Sequence, residues 1–301
     1  MRAPNTVSTA EPQAGDGSEQ ERGGALVELW RTVRGKIGLI LLAVFLVYGV
    51  AGLLLYENPP SAGQTVEDRF RSPSLDHLLG TDNLGRSVWE QLAVGAGISL
   101  AVGLAATAIA VLIGSVVGIT SGYIGGRFDQ FAMGVTDMFI TIPALPLIIV
   151  LAAVLSRGLP TIIVVIGVTS WAVPARLIRA EVLSQRERTF ILRAKAIGMR
   201  PLHIMWTHVL PNVAGIVLAN AILLTAAAIL TEAVLAFLGL GDPSLISWGK
   251  MLQNAFSSGA TSLGYWWVLI PPGVLITLMV LSFTLIGNAL TDVIDPRRRE
   301  E

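Results

Sequence analysis

Long apolar stretches without charge constrain this chain more than any other feature. A run of about 18 or more such residues is the length a helix needs to cross a hydrocarbon core of about 30 Å. Ile37 to Tyr56 is the first run, and the second is centred in the uncharged stretch from Gln91 to Gly126. The third runs from Phe131 to Ser156 with one acid, Asp137, and the fourth, Gly158 to Ala175, is short and bounded by proline. Val213 to Thr231 is the fifth, and Val268 to Thr291 follows the cluster Tyr265-Trp266-Trp267 as the sixth. The predicted fold class is therefore all-α, a polytopic membrane protein with about six transmembrane helices. Only 14% of the 301 residues are charged, against about 25% in an average soluble domain.

The 21 basic residues balance the 21 acidic ones, so no overall basic field exists to collect nucleic acid. Their positions are informative instead. With both termini inside, 16 of the 21 fall on the cytoplasmic side, seven of them between Arg176 and Arg200, and only Arg69, Arg71, Arg86, Arg157 and Lys250 fall outside. Lys and Arg are retained on the cytoplasmic face, so this orientation is the predicted one, with the aromatic cluster at the outer interface. Residues 1–29 are predicted to be a disordered cytoplasmic tail, their first 24 rich in Pro, Gly, Ser and Glu. Residues 30–57 hold the first span and 58–95 an extracytoplasmic loop with a short helix. Residues 96–292 form a core of five spans with a cytoplasmic loop at 176–212, and 293–301 a cytoplasmic tail.

Several chemistries find no foothold. With no cysteine and three histidines, disulfides, thiolate sites and a three-histidine metal centre are not expected, and no resident metal is predicted. None of the lysines, Lys36, Lys195 and Lys250, lies in a phosphate-binding loop, so ATP cannot be bound by that motif. His203 and His208 are five apart, off the spacing of a zinc-binding helix.

The most informative polar stretch runs from Glu187 to Asn212. Helix formers reach Ile197, Gly198 is a natural stop, and Pro201 suits the first turn of a second helix that Pro211 is expected to end. Ala194 and Gly198 are four apart, which predicts a small-residue groove for close approach of another surface. This segment resembles the EAA loop of ABC importer permeases, whose pattern Glu-Ala-Ala-x-x-x-Gly ends later in Leu-Pro. Ala194 stands for the second alanine, Gly198 for the glycine and Leu210-Pro211 for the ending, while Leu192 and Arg193 replace the glutamate and first alanine. The resemblance implies that Arg193, Ala194, Lys195, Gly198, Met199, Arg200 and Pro201 form a coupling helix that docks into an ATP-hydrolysing subunit.

From about Trp30 to Arg299 the chain is similar to permeases of the dipeptide, oligopeptide and nickel importers. The stretch His77 to Arg86, with Gly80, Thr81, Asp82, Gly85 and Arg86, resembles their signature after the first span, with Ser87 in place of an aspartate. Arg127-Phe128-Asp129, Asp137 and Pro143-Ala144-Leu145-Pro146-Leu147 resemble the start of their third span, with Gly134 where arginine is frequent. Glu232 to Gly241, including Gly239, followed by Ser247-Trp248-Gly249, resembles the end of the fifth, and Asp292 with Asp295-Pro296-Arg297 the C-terminal close. The resemblance implies the type I ABC importer permease fold in a bacterial inner membrane. It also implies a second related permease, two ATP-binding subunits or domains that carry ATP and magnesium, an extracytoplasmic substrate-binding protein, and a di- or oligopeptide cargo. No cofactor is expected on this chain.

Residue chemistry leaves alternatives. Thr81 or Asp82 can cap a helix begun by Asn83-Leu84-Gly85, with Asp82 and Arg86 spaced for an ion pair. Pro143 and Pro146 predict a kink inside a span that frees carbonyls. Asp137 and Glu232 are candidate intramembrane polar sites, with a structural ion pair or helix-end hydrogen bond as the simpler role. Those two acids also keep open a proton- or ion-coupled secondary transporter, and nickel remains an alternative cargo.

Overall fold

A computed structural model describes residues 27–56 and 66–294. Helix α1, Val33–Leu55, starts where the Thr32 hydroxyl accepts the Gly35 N–H at 3.0 Å. A 3-10 turn at Val66–Asp68 precedes α2, Val88–Ile124, which is 37 residues long. Then come α3, Gly126–Thr141, and α4, Ala144–Val154, bent by 86°, and α5, Leu159–Thr169, and α6, Ala172–Gln185, bent by 41°. Helix α7 is Thr189–Ala196, α8 runs from Pro201 to Phe237, α9 is Trp248–Ser257 and α10 is Trp266–Ile294. Among the described residues, helices α1, α2, α8 and α10 are each long and apolar enough to cross a membrane, and counting each bent pair as one span gives up to six, against about six predicted.

The spans pack through small residues and interhelical hydrogen bonds, as expected where lipid supplies no hydrophobic force between helices. On α2, Gly114, Gly118 and Gly122 recur every fourth residue. A Cβ on any of them would come within 3 Å of Pro174, Ala175 or Val182 of α6. The Thr225 hydroxyl of α8 donates to Thr107 of α2 at 3.1 Å, and Ser282 of α10 donates to the Gly38 carbonyl of α1 at 3.1 Å. The largest buried side chain is Trp248 of α9, whose indole N–H donates to the Leu92 carbonyl at 2.9 Å and whose ring meets Phe45 edge-on. Helix α9 thereby ties α1 and α2 to the ends of α8 and α10.

Several expectations need correction. Asn83-Leu84-Gly85 do not start a helix: Gly85 has φ of +73° and turns the chain, so α2 begins five residues after Leu79-Gly80-Thr81-Asp82-Asn83, at Val88, inside the segment assigned to the loop. The third apolar run breaks into two helices at Ile142-Pro143 instead of kinking. Pro146 lies in the first turn of α4, where its missing N–H has no intrahelical partner to lose. The fourth run continues past its polar boundary to Gln185 because α6 keeps an apolar face, Ile178 and Val182, against α2. Pro211 does not end a helix. A π turn at Met205–Val209 absorbs its missing donor, so α8 passes through it unbroken for 37 residues. The expected tails at 1–29 and 293–301 fall largely outside the described residues, as does Asp295-Pro296-Arg297.

Candidate functional site

The corner between α7 and α8 is built by burial on one side and by glycine on the other. Ile191 and Ala194, three apart on α7, are buried with Tyr123, Val182, Ile204 and Val209. Helix α7 then stops in a Schellman motif: the Met199 N–H reaches back to the Ala194 carbonyl at 3.1 Å and the Gly198 N–H to Lys195 at 3.0 Å, with Gly198 at φ +78°. Pro201 opens the next helix after extended Arg200. Since α7 turns Ala194 into the core, Ala194 and Gly198 do not share one open groove, and the small-residue groove expected from their spacing is absent. Gly198 stands free, with nothing within 4 Å of where a Cβ would point. Around it the exposed surface mixes Leu192, Ile197, Leu202 and Trp206 with Arg193, Lys195 and Arg200, while Met199 is half-buried. The Lys195 ammonium sits 5.0 Å from the centre of the Tyr123 ring.

Beside the corner, α3 and α6 are held by charge. Asp129 receives Nε and Nη2 of Arg179 at 2.5 and 2.6 Å, a bidentate pair, and Asp137 pairs with Arg176. Arg186 donates to the Gly122 carbonyl at 3.2 Å. Asp137 is thus matched by a cation, and both partners are exposed within the described chain. The ends of α1 and α10 carry a looser contact, Arg34 to Asp292 at 4.0 Å. Nothing in spacing joins Asp129 to Arg179, so their pairing was not visible in the sequence.

At the other end of α8 lies Glu232, 3% exposed. Its carboxyl accepts from the Ser99 hydroxyl of α2 at 3.3 Å, and Ser247, which lines the same small cavity, caps α9 by accepting the Lys250 N–H at 3.4 Å. Helix α8 ends five residues later in a second Schellman motif, with Gly239 at φ +80°. A Cβ there would lie 2.5 Å from the Gln253 amide nitrogen, and one on Gly241 3.2 Å from Ala236. Asp242 then accepts the Leu159 N–H at 3.1 Å, closing the start of α5. The Ser244 hydroxyl, followed by the backbone N–H groups of Ser244 and Leu159, holds the Asp242 carboxyl below the usual carboxylate range. Ser99 and Asp242 carry no signal in the sequence as partners of this region.

The segment before α2 folds around Asp82, which is buried. Its carboxylate accepts the Leu84 and Arg86 backbone N–H groups at 2.8 and 2.9 Å and the Gln91 amide at 3.0 Å. The expected Asp82–Arg86 ion pair is replaced by this backbone contact, because the turn at Gly85 presents the Arg86 N–H to Asp82. Thr81 accepts from the Arg71 N–H and donates to Asp68, and Trp267 donates to the Thr81 carbonyl at 3.3 Å. Gly80, at φ +67°, has no room for a Cβ beside Arg71 and Trp267. Of the aromatic cluster only Trp266 is exposed, while Trp267 is used to lock this loop onto α10. These signature residues therefore hold one another.

Membership can now be decided. The family model of binding-protein-dependent transport system inner membrane components matches residues 110–300. The chain belongs to this family. It is 32% identical over 266 residues to the oligopeptide transport system permease protein of Bacillus subtilis strain 168, covering 88% of this chain and 86% of that protein. It is 34% identical over 278 residues to the dipeptide transport system permease protein of Alkalihalophilus pseudofirmus, covering 91% and 90%. Among solved structures it resembles the MetNI methionine ABC transporter in inward facing conformations, with a TM-score of 0.51 and 17% identity over 67% of this chain and 94% of that one. That last likeness concerns the fold. The family match includes both the Gly198 corner and Glu232, and the chain is a multi-pass membrane protein.

Proposed function

We propose that this chain is the permease subunit of an ATP-driven importer of di- or oligopeptides, forming half of the translocation pathway. The observation that carries the reading is the Gly198 corner: a left-handed glycine in open space, ringed by exposed apolar and basic side chains, at the start of a 37-residue helix. In a family of binding-protein-dependent transport components, such a surface suits docking to an ATP-hydrolysing partner. The residues of that surface are Arg193, Lys195, Gly198, Arg200 and Pro201. The partner binds ATP and magnesium, a substrate-binding protein delivers the peptide, and a second related permease completes the pathway. The corner and both chain termini face the cytoplasm in this reading, in line with the basic asymmetry.

A secondary transporter driven through Asp137 and Glu232 finds no support, since Arg176 takes up one acid and the Ser99 hydroxyl the other. Uptake of a labelled dipeptide into vesicles separates the readings. Uptake that needs ATP, survives collapse of the proton gradient and depends on a co-purifying ATPase is expected. Loss of uptake with the proton gradient, ATP being present, would overturn the proposal.

A further inference from the structure

We propose that the exposed Asp137–Arg176 pair is a contact for the charged ends of the peptide, Arg176 taking its carboxylate and Asp137 its ammonium group, on a water-filled face of α6. This site rests on the transport reading above, which supplies the cargo. Helices α3 and α6 are joined by two ion pairs where one suffices. Arg179 and Asp129 form a bidentate pair with side chains only 28% and 14% exposed, which is enough to hold the helices together. The Arg176 and Asp137 side chains are 54% and 56% exposed, and their contact uses one nitrogen and one oxygen. A pair so exposed adds little to stability. The second carboxylate oxygen and the rest of the guanidinium fork are left for another partner.

The surroundings of the pair suit water and not lipid. Asp137 lies about 12 Å beyond Asp129 along α3, inside a bent pair apolar enough to span a membrane. Arg176 belongs to the exposed stripe Val173, Arg176, Ala180 and Ser184, spaced by three or four residues and therefore on one face of α6. Charges on a lipid-facing stripe are expensive, and ionisable groups within spans face a partner or an aqueous cavity. Leu177, next to Arg176, turns into a cavity of about 210 Å³ between α6, α8 and α10, whose lining includes Asn220 and Thr291. Polar residues of α8 and α10 thus border the face that carries the pair. Sealing both charges against another protein would cost their hydration, whereas a water-filled path preserves it and admits a zwitterion. A guanidinium presents paired N–H donors that match a carboxylate, and a carboxylate accepts from an ammonium group. A peptide with free ends supplies both.

Uptake by the assembled complex in vesicles, measured with labelled dialanine and with its C-terminal amide, tests the assignment. Each variant is compared with the unaltered complex for the same peptide, so selection by other subunits cancels. Arg176→Gln is expected to lower dialanine uptake about tenfold below saturation, the factor for one hydrogen bond to a charged group, and uptake of the amide by less than about threefold. Equal losses for the two peptides would assign the pair to structure and overturn the proposal, as would an Arg176→Gln chain that does not accumulate in the membrane. Ala180→Cys, in a chain with no cysteine of its own, gives a readout that needs no transport and decides alone where the unaltered complex refuses the amide. A membrane-impermeant thiol reagent added on both sides is expected to label it, and saturating dialanine to slow the labelling. An unlabelled cysteine, or labelling that dialanine does not slow, would overturn the proposal. Selective loss of dialanine uptake that proves independent of ATP would keep this site and refute the ATP-driven reading; ATP-driven uptake with an unlabelled cysteine would do the reverse.

Discussion

Two helices in this protein end in the same backbone motif and in opposite surroundings. Gly198 and Gly239 both adopt left-handed φ, +78° and +80°, and both close a Schellman turn. At Gly239 the Gln253 side chain presses on the space a Cβ would need, and at Gly198 there is nothing within 4 Å. The backbone requires glycine at each, but only the second position is packed. The contrast teaches where the fold is self-sufficient and where it waits for something else. At the Glu232 end the acids Glu232 and Asp242 accept hydrogen bonds from Ser99 and Leu159 of the same chain, whereas the Gly198 corner leaves Ile197, Leu202 and Trp206 exposed beside arginines.

The contrast breaks most readily at Trp248. Trp248→Ala is expected to cost about 3–5 kcal/mol, since it empties the largest buried site in the packed end, and a large fall in thermal stability of the purified protein checks this. Near-native stability would mean that α9 is not part of the folded core. Next come the glycines themselves. Gly239→Ala and Gly198→Ala should each lose about 1–2 kcal/mol from the left-handed backbone, with Gly239→Ala the worse by the added crowding from Gln253. Equal losses in chemical denaturation would show that crowding there is relieved without cost.

The ion pairs beside the corner come third. A double-mutant cycle on Asp129 and Arg179 is expected to give about 1 kcal/mol of coupling, as the pair is bidentate and partly shielded. The same cycle on the exposed Asp137 and Arg176 should give about 0–0.5 kcal/mol. The smallest effect concerns pH. The Asp242 carboxyl is held below its ordinary value of 3.8 in the folded protein, so its contribution is complete above about pH 4 and is lost as pH falls through the folded value. Asp242→Asn should remove that part of the acid sensitivity, detected as a flatter stability profile below pH 4.

Much of the fold was legible because membrane spans advertise themselves by length, and the apolar runs foretold the four long helices and the positions of the two bent pairs. The breaks inside them were harder. Pro143 divides its run into two helices, yet Pro211 leaves α8 continuous, because a π turn can absorb a missing donor where a neighbouring turn has room to widen. The corner was readable from Gly198 and Pro201, since both act locally on the backbone. Its outward surface was not, because the fate of Ala194 depends on what α7 packs against. Glu232 was visible as an unusual residue but its partner was not. Ser99 reaches it from another element, and only the folded chain brings the two together. The resemblance to peptide permeases supplied the family, which the physical reading alone had left beside a secondary transporter.

The central claim, that the open corner is where an ATP-hydrolysing partner docks, is tested most directly by Gly198→Asp. The substitution places a charge on the exposed face and touches no neighbour; its left-handed backbone strain is shared by Gly198→Ala, the control, and both chains should reach the membrane with their spans intact. The account predicts that the co-purifying ATPase and ATP-dependent peptide uptake both fall about tenfold or more, the cost of an unpaired charge buried at an interface. Near-normal retention of the ATPase together with near-normal uptake would contradict it.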